Sequence, residues 1–349
     1  MTYIDLGSKK IGKDYPAYIV AEIGINHNGD MELAKKTILA AKTAGADAVK
    51  FQNYKTEDFV PLKNITYEYL SQGKLVKEFQ YDMFKRYELN HKHVMELKDF
   101  CDQNKIDFHS TPTNFEGVDL LKKIGVNVLK NGSDFLTNLE LIDYMGKSQI
   151  PTVLSTGMAT ISEIDDAVTT FRGTGNENLI LLHCTSSYPT PAEDIHLMKI
   201  KTLRDTFGVI SGFSDHSEGP WAAIGSITYK TAWIEKHFTL DKNLPGPDHR
   251  FSCDPKEFSI LVEGVRYVEK ATGIPYLGPT ESEKDSRRDF RLSCCAKRDL
   301  KIGDVLSKSD IIFARPGCGF LPKNEVLLLG RTINKPLKQG DPIQIEDLT

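Results

Sequence analysis

The chain has 349 residues, 40% of them hydrophobic and 26% charged, which is enough for one large core plus a small one, so a full-sized domain with an appendage is expected. The formal charge is −4 with the basic residues scattered, which excludes an electrostatic footprint for nucleic acid or an anionic membrane. Any anionic ligand must be held by local charges.

Cys101, Cys184, Cys253, Cys294, Cys295 and Cys318 contain no C-x-x-C pair, and the adjacent Cys294 and Cys295 do not suit a simple disulfide, so all six read as thiols. The N-terminal stretch MTYIDLGSKKIGKDYPAYIV lacks the continuous apolar core of a signal peptide, and no later run approaches the length of a membrane span. A cytoplasmic protein with small-molecule partners is the expectation.

Taken in chain order, eight short apolar runs read as strands: YIVAEIG (18–24), DAVKFQ (47–52), IDFHST (106–111), VNVLKNGS (126–133), PTVLSTG (151–157), LILLHC (179–184), VISGFSD (209–215) and AWIEKHF (232–238). Between them lie segments of helical period, among them 31–46, 91–105 and 161–175. Gly45 closes the first of these, and Ser162 with Glu163 opens the third. Eight strand–helix repeats in roughly 250 residues predict an α/β fold, a (β/α)8 TIM barrel, over residues 1–272. A doubly wound open sheet is the runner-up, but GINHNG is not the glycine-rich first turn that fold uses. A helix at 254–273 gives way to a Pro-, Gly- and charge-rich linker over 273–286. Residues 287–349, with turn residues every few positions, read as a small, mostly β domain.

Barrel enzymes carry their chemistry at the C-terminal strand ends. Here those ends are polar: Glu22, Asn26 and His27 on strand 1, Lys50 and Gln52 on strand 2, and Ser110 and Thr111 on strand 3. Lys130 and Ser133 follow on strand 4, Ser155 and Thr156 on strand 5, and His183 with Tyr188 on strand 6. Strand 7 brings Ser214, Asp215 and His216, and strand 8 brings Glu235, Lys236 and His237. Inward barrel positions are normally branched and apolar, and buried polar groups cost free energy unless paired, so packing alone does not explain such a ring. Lys50 and Lys130 with the hydroxyls of Thr111, Ser133 and Ser155 would cradle a small phosphorylated acid. Imidazoles at His216 and His237, on neighbouring strands, suit a borderline divalent ion such as Mn, Co, Fe or Zn.

With these residues laid out, the sequence resembles the N-acetylneuraminate (sialic acid) synthase family, N,N'-diacetyllegionaminate synthases included, over essentially its whole length. The stretches that carry the resemblance are AEIGINHNGD (21–30), AGADAVKFQ (44–52), STP (110–112), LSTGM (154–158), LLHCTSSYPTP (181–191), GFSDHS (212–217), EKHFTLDKNLPGPDH (235–249) and ARPGCG (314–319). The resemblance implies a barrel joined to an antifreeze-like, or SAF, domain in a domain-swapped homodimer. It implies condensation of phosphoenolpyruvate with N-acetylmannosamine, or with 2,4-diacetamido-2,4,6-trideoxymannose, and a divalent metal, Mn with Mg or Co as alternatives. It places the metal on His216 and His237, and phosphoenolpyruvate on Lys50, Thr111, Lys130, Ser133 and Ser155 with Ser214 nearby. The sugar falls to Glu22, Gln52, Tyr188 and Asp248, with Arg315 reaching its N-acyl group in the partner subunit. Glu22, Lys50 and Lys130 become the catalytic candidates. Where the family often carries KIGSGE, this chain has KNGSDF, so Phe135 stands at the glutamate and Asp134 is the candidate to replace it.

Two other readings compete. A Schiff-base aldolase would use Lys50, Lys130 or Lys236 as nucleophile. A carbohydrate- or ice-binding protein would work through residues 287–349 alone.

Overall fold

In the computed structural model, which describes residues 3–349, the chain divides into two units, Met1–Gly273 and Ile274–Thr349. The first is the expected barrel. Its eight strands are Tyr18–Gly24, Ala48–Asn53, Asp107–Pro112, Leu129–Asn131, Thr152–Ser155, Leu179–Cys184, Ile210–Asp215 and Trp233–His237. All ladders are parallel, the first strand pairs with the eighth, and the third and fourth lie side by side to complete the ring. The strands thus lie within the predicted runs to within a residue, except that the fourth is cut to three residues.

The pleat sorts side chains by position. Ile19, Ala21, Val49, Phe51 and Phe108 face outward into a layer shared with the helices, including Ile38, Leu97, Phe258 and Leu261. Alternate residues face the axis, where Tyr18, Val20, Val128, Val153, Leu182 and Trp233 form a separate buried cluster. Helix starts are set by caps. Asp30 accepts from the backbone of Glu32 and Leu33 ahead of Met31–Thr43, and Asp254 with Glu257 closes a capping box on Pro255–Thr272. The helix Ile161–Gly173 starts from Thr160, not Ser162, because the Thr160 hydroxyl and Glu163 form the reciprocal box and Ser162 falls inside the first turn.

Two hairpins went unread in the sequence. Ile4–Asp5 pairs with Lys10–Ile11, and Ile4, Leu6 and Ile11 join the axial cluster, closing the N-terminal end of the barrel. Thr66–Ser71 pairs with Lys74–Phe79 inside the long segment after the second strand. Its two turn residues, Gln72 and Gly73, both have positive φ (52° and 73°), as a tight hairpin turn requires.

The second unit has a short antiparallel pair, Ser293–Ala296 with Ile311–Ala314, over a core that includes Cys294, Leu300, Leu306, Leu328, Ile333 and Ile343. Within the stretch read as a linker, Thr280 and Glu283 cap a turn that runs on into the helix Lys284–Asp289. All six cysteines are free thiols, and only Cys318 is exposed.

Gly212 shows how tightly the axis is filled. A Cβ there would come within 2.5 Å of the Leu182 side chain, 2.6 Å of the Trp233 carbonyl oxygen and 2.7 Å of the Trp233 Cβ, so glycine is what fits between the two strands neighbouring its own. Gly212→Ala should therefore destabilise the protein by about 1–3 kcal/mol through overpacking, read as a lowered thermal midpoint. An unchanged midpoint would mean that the Trp233 backbone gives way without cost.

Candidate active site

The C-terminal strand ends surround a cavity of about 420 Å³. Its floor is built by inward positions of neighbouring strands. Glu22, Lys50 and His109 are in register on the first three strands, so the pleat aims all three at the axis. Lys50 Nζ lies 2.9 Å from Glu22 Oε2 and donates to Thr111 Oγ1 at 3.0 Å. Lys130 Nζ donates to Ser155 Oγ at 2.7 Å and to the Asn131 carbonyl at 2.9 Å. Glu235 Oε1 stands between the two ammonium groups, 3.8 Å from Lys50 and 3.9 Å from Lys130. Ser214 Oγ donates to the same oxygen at 3.4 Å, while Glu235 Oε2 is buried without a partner.

These groups shift one another in proportion to their neighbours. Burial pushes the Glu22 carboxyl up to about 7, against the pull of Lys50 and with the help of the nearby Glu235 carboxylate. Burial also opposes the charges on Lys50 and Glu235, but the flanking opposite charges win, keeping Lys50 high and Glu235 low. Lys130 has less compensation, and burial lowers it. Asp134, on the loop after the fourth strand, is raised by burial.

Beneath the lysines is an aromatic layer. His109 stacks on Trp233 at 5.3 Å and on Tyr18 at 5.7 Å between ring centroids. The Tyr18 hydroxyl donates to Asp107 at 2.6 Å and lies 3.3 Å from His109 Nε2, so that nitrogen carries the proton, and burial holds the imidazole neutral at about 4.

On the opposite side of the cavity, the His216 and His237 rings are 5.4 Å apart. His216 Nδ1 bonds the Thr185 carbonyl at 2.9 Å, which places its proton there and leaves the Nε2 lone pair free. His237 Nδ1 is buried without a hydrogen-bond partner and lies 3.8 Å from Asp248 Oδ2. Burial pushes His237 well down and Asp248 up to about 6. Burial opposes a charge on His216, but Cys184 and the Thr185 carbonyl outweigh it and raise its pKa, so a cation bound there would displace a proton; two imidazoles beside a carboxyl fit a borderline divalent ion. Among the described residues no set of three or more His, Cys, Asp and Glu side chains is assembled to hold an ion, so such a site would keep positions open for water or substrate oxygen.

The structure brings together Glu22, Lys50, Gln52, Thr111, Lys130, Ser133, Asp134, Ser155, Tyr188, Ser214, His216, His237 and Asp248 around this one cavity. Arg315 belongs to the second unit, where its Nε donates to the Phe290 carbonyl at 3.1 Å and its guanidinium lies over the Phe290 ring. Glu235 also lines the cavity, whereas the remaining polar strand ends do not. Asn26 bonds Phe238 O and Ser252, His27 accepts from Gly29 N, and His183 bonds Ile195 O. Lys236 is buried against Asp215 at 2.9 Å and against the Ser217 carbonyl, between the strands and the helices, which removes it as a Schiff-base nucleophile. The pleat explains the split, since Asp215 and Lys236 sit one residue out of phase with Ser214, Glu235 and His237.

Sequence reasoning assigned no role to Glu235, although its place two residues before His237 puts it on the same face of the strand. It also missed Cys184, buried with its sulfur 3.7 Å from His216 Nδ1, and an apolar wall of Tyr54, Phe59, Met83, Phe84 and Phe135. The wall's signal was aromatic spacing inside a segment that carried no regular period.

Comparison with known proteins gives the family. Residues 37–275 match the NeuB family and residues 293–349 the SAF domain. The chain is 36% identical to the N,N'-diacetyllegionaminic acid synthase of Legionella pneumophila, covering 98% of this chain and 97% of that one. It is 34% identical to the pseudaminic acid synthase of Helicobacter pylori over 95% of this chain and 98% of that one. The crystal structure of an N-acetylneuraminic acid (sialic acid) synthetase from Leptospira borgpetersenii in complex with citrate superposes with a TM-score of 0.74 at 34% identity, covering 82% of this chain and 95% of that one. The chain therefore belongs to the NeuB family of sialic-acid-type synthases, with a SAF domain following its barrel.

Proposed function

We propose that the protein condenses phosphoenolpyruvate with an N-acylated mannose-type sugar and water, giving a nine-carbon sialic-type acid and phosphate. The observation that carries this reading is the division of one cavity into a floor of two buried, hydroxyl-flanked ammonium groups and a far side of two imidazoles beside a carboxyl. N-acetylmannosamine is the sugar that the sequence resemblance implies first. The named relatives also support the 2,4-diacetamido-2,4,6-trideoxy sugar.

Lys50 and Lys130, with Thr111, Ser133, Ser155 and Ser214, bind the phosphate and carboxylate of phosphoenolpyruvate. C3 of its enol bonds to the aldehyde carbon of the open-chain sugar, and the aldehyde oxygen becomes an alkoxide that takes a proton. Water adds to C2 and loses a proton. The tetrahedral carbon then expels phosphate by cleavage of its C–O bond, leaving a ketone. Glu22, with its carboxyl near 7, exchanges the proton at the sugar oxygen, and Gln52, Tyr188 and Asp248 orient the sugar. Asp134, in the lining of the same cavity and raised by burial, takes the proton from water. The two lysines stabilise the departing phosphate. A divalent ion on His216 and His237, Mn by preference with Mg or Co as alternatives, would polarise the aldehyde oxygen as a Lewis acid. Arg315 supplies a guanidinium to the N-acyl oxygen of the sugar bound by a partner subunit in a domain-swapped homodimer.

Three outcomes are expected. Phosphate release from phosphoenolpyruvate should need both the sugar and a divalent metal, and chelation should abolish it. A lysine adduct trapped by borohydride with pyruvate would instead make the protein an aldolase. Lys130→Met should cost about 10²–10³-fold in kcat/KM for phosphoenolpyruvate with the fold retained, the range for losing one charge-stabilising donor. Arg315→Ala should raise the KM of the sugar and leave that of phosphoenolpyruvate nearly unchanged, and mixing its subunits with His216→Ala subunits should restore part of the activity; the reverse KM pattern removes Arg315 from the sugar site.

A further inference from the structure

The cavity is chemically lopsided. The loops after the second, third and fourth strands supply Phe59, Thr113 and Phe135, and the helix Gln80–Tyr87 adds Met83 and Phe84. The rings form a continuous surface: Phe59 lies 4.8 Å from Phe84, 5.6 Å from Tyr54 and 6.0 Å from Phe135 between centroids. The Tyr54 hydroxyl is consumed by the Phe84 carbonyl at 3.0 Å and offers nothing to a ligand. The buried polar atom of this sector without a partner is Thr113 Oγ1, and the exposed Tyr67 and half-buried Gln80 add their polar groups to the lining.

Strands 2 to 4 lie across the ring from strands 7 and 8, which carry His216 and His237. A sugar whose aldehyde sits at the imidazoles sends its far carbons towards the aromatic wall. A row of hydroxyls there would lose water and find few partners, whereas a methyl group and an acyl methyl would bury apolar surface. One amide can bond the buried, unpartnered hydroxyl of Thr113.

We propose that the Phe59–Phe84–Phe135 wall, with Thr113, is the specificity-determining surface for the tail of the sugar and selects a 6-deoxy sugar with a second N-acyl group over a polyhydroxylated one. This rests on the synthase reading above and deepens it. An apolar surface discriminates modestly, so the preference expected is about 10–200-fold in kcat/KM.

The test uses the full-length, Mn-loaded protein with phosphoenolpyruvate and two probes, 2,4-diacetamido-2,4,6-trideoxymannose and N-acetylmannosamine. Wild type should prefer the first probe by that factor. Phe135→Gln should narrow the ratio about tenfold with the KM of phosphoenolpyruvate unchanged. Thr113→Val, an isosteric change outside the ring cluster, should also narrow it and covers the case in which Phe135→Gln does not fold. Equal use of both sugars, a preference for N-acetylmannosamine, or a ratio untouched by the folded variants would overturn the wall's role while leaving the synthase standing. Phosphate release with neither sugar would sink the synthase reading itself, and the wall's role with it.

Discussion

Two ammonium groups, Lys50 and Lys130, are buried at the centre of the barrel, and the rest of the first unit is arranged around keeping them charged. Burying such ions is costly unless they are paired, and losing one partner of a buried pair typically costs about 3–5 kcal/mol. The pairing here is uneven. Glu22 and Glu235 both approach Lys50, while Lys130 has only Glu235 at 3.9 Å and two neutral oxygens. The site therefore holds an unfilled appetite for negative charge on the Lys130 side, which is where an anionic substrate group gains most. Burial, helped by the Glu235 carboxylate and opposed by Lys50, lifts Glu22 into the range where a carboxyl can both give and take a proton.

Rigidity below this level comes from aromatic packing. Trp233, His109 and Tyr18 fill the axis directly under the lysines, and Gly212 is the absence of a side chain between Leu182 and the Trp233 carbonyl oxygen and Cβ. Because the Asp107–Tyr18 hydrogen bond fixes the His109 tautomer, the layer presents a neutral ring upward and adds no third cation to the floor. The apolar axis thus concentrates field between the few charges above it.

Much of this was legible in the sequence because barrel strands write their register in alternation. Once YIVAEIG and DAVKFQ are strands, Glu22 and Lys50 must share the inner face, and the same logic recovers Thr111, Lys130, Ser155, Ser214 and His237. What alternation does not encode is phase at a polar run. SDHS and EKH are polar throughout, so the sequence offered Asp215 and Lys236 alongside Ser214, Glu235 and His237, and only the ladder separates them. The segment between the second and third strands was opaque for a different reason. Its ribbon is mostly exposed on one face and its aromatics serve the cavity, so neither strand nor helix periodicity is kept. The N-terminal hairpin was missed because two-residue strands leave no pattern to find.

The hairpin that seals the N-terminal end of the barrel has a kinetic consequence. With Ile4, Leu6 and Ile11 packed against Tyr18 and Trp233, the axial core is solid below the lysines, and the cavity is entered from the C-terminal face. A ligand held by the floor must arrive before one held nearer the mouth, and must wait for it to leave. Under the proposed chemistry the reaction is a last-in, first-out stack: phosphoenolpyruvate enters first, the sugar lies over it, and free phosphate stays trapped beneath the new acid until that acid departs.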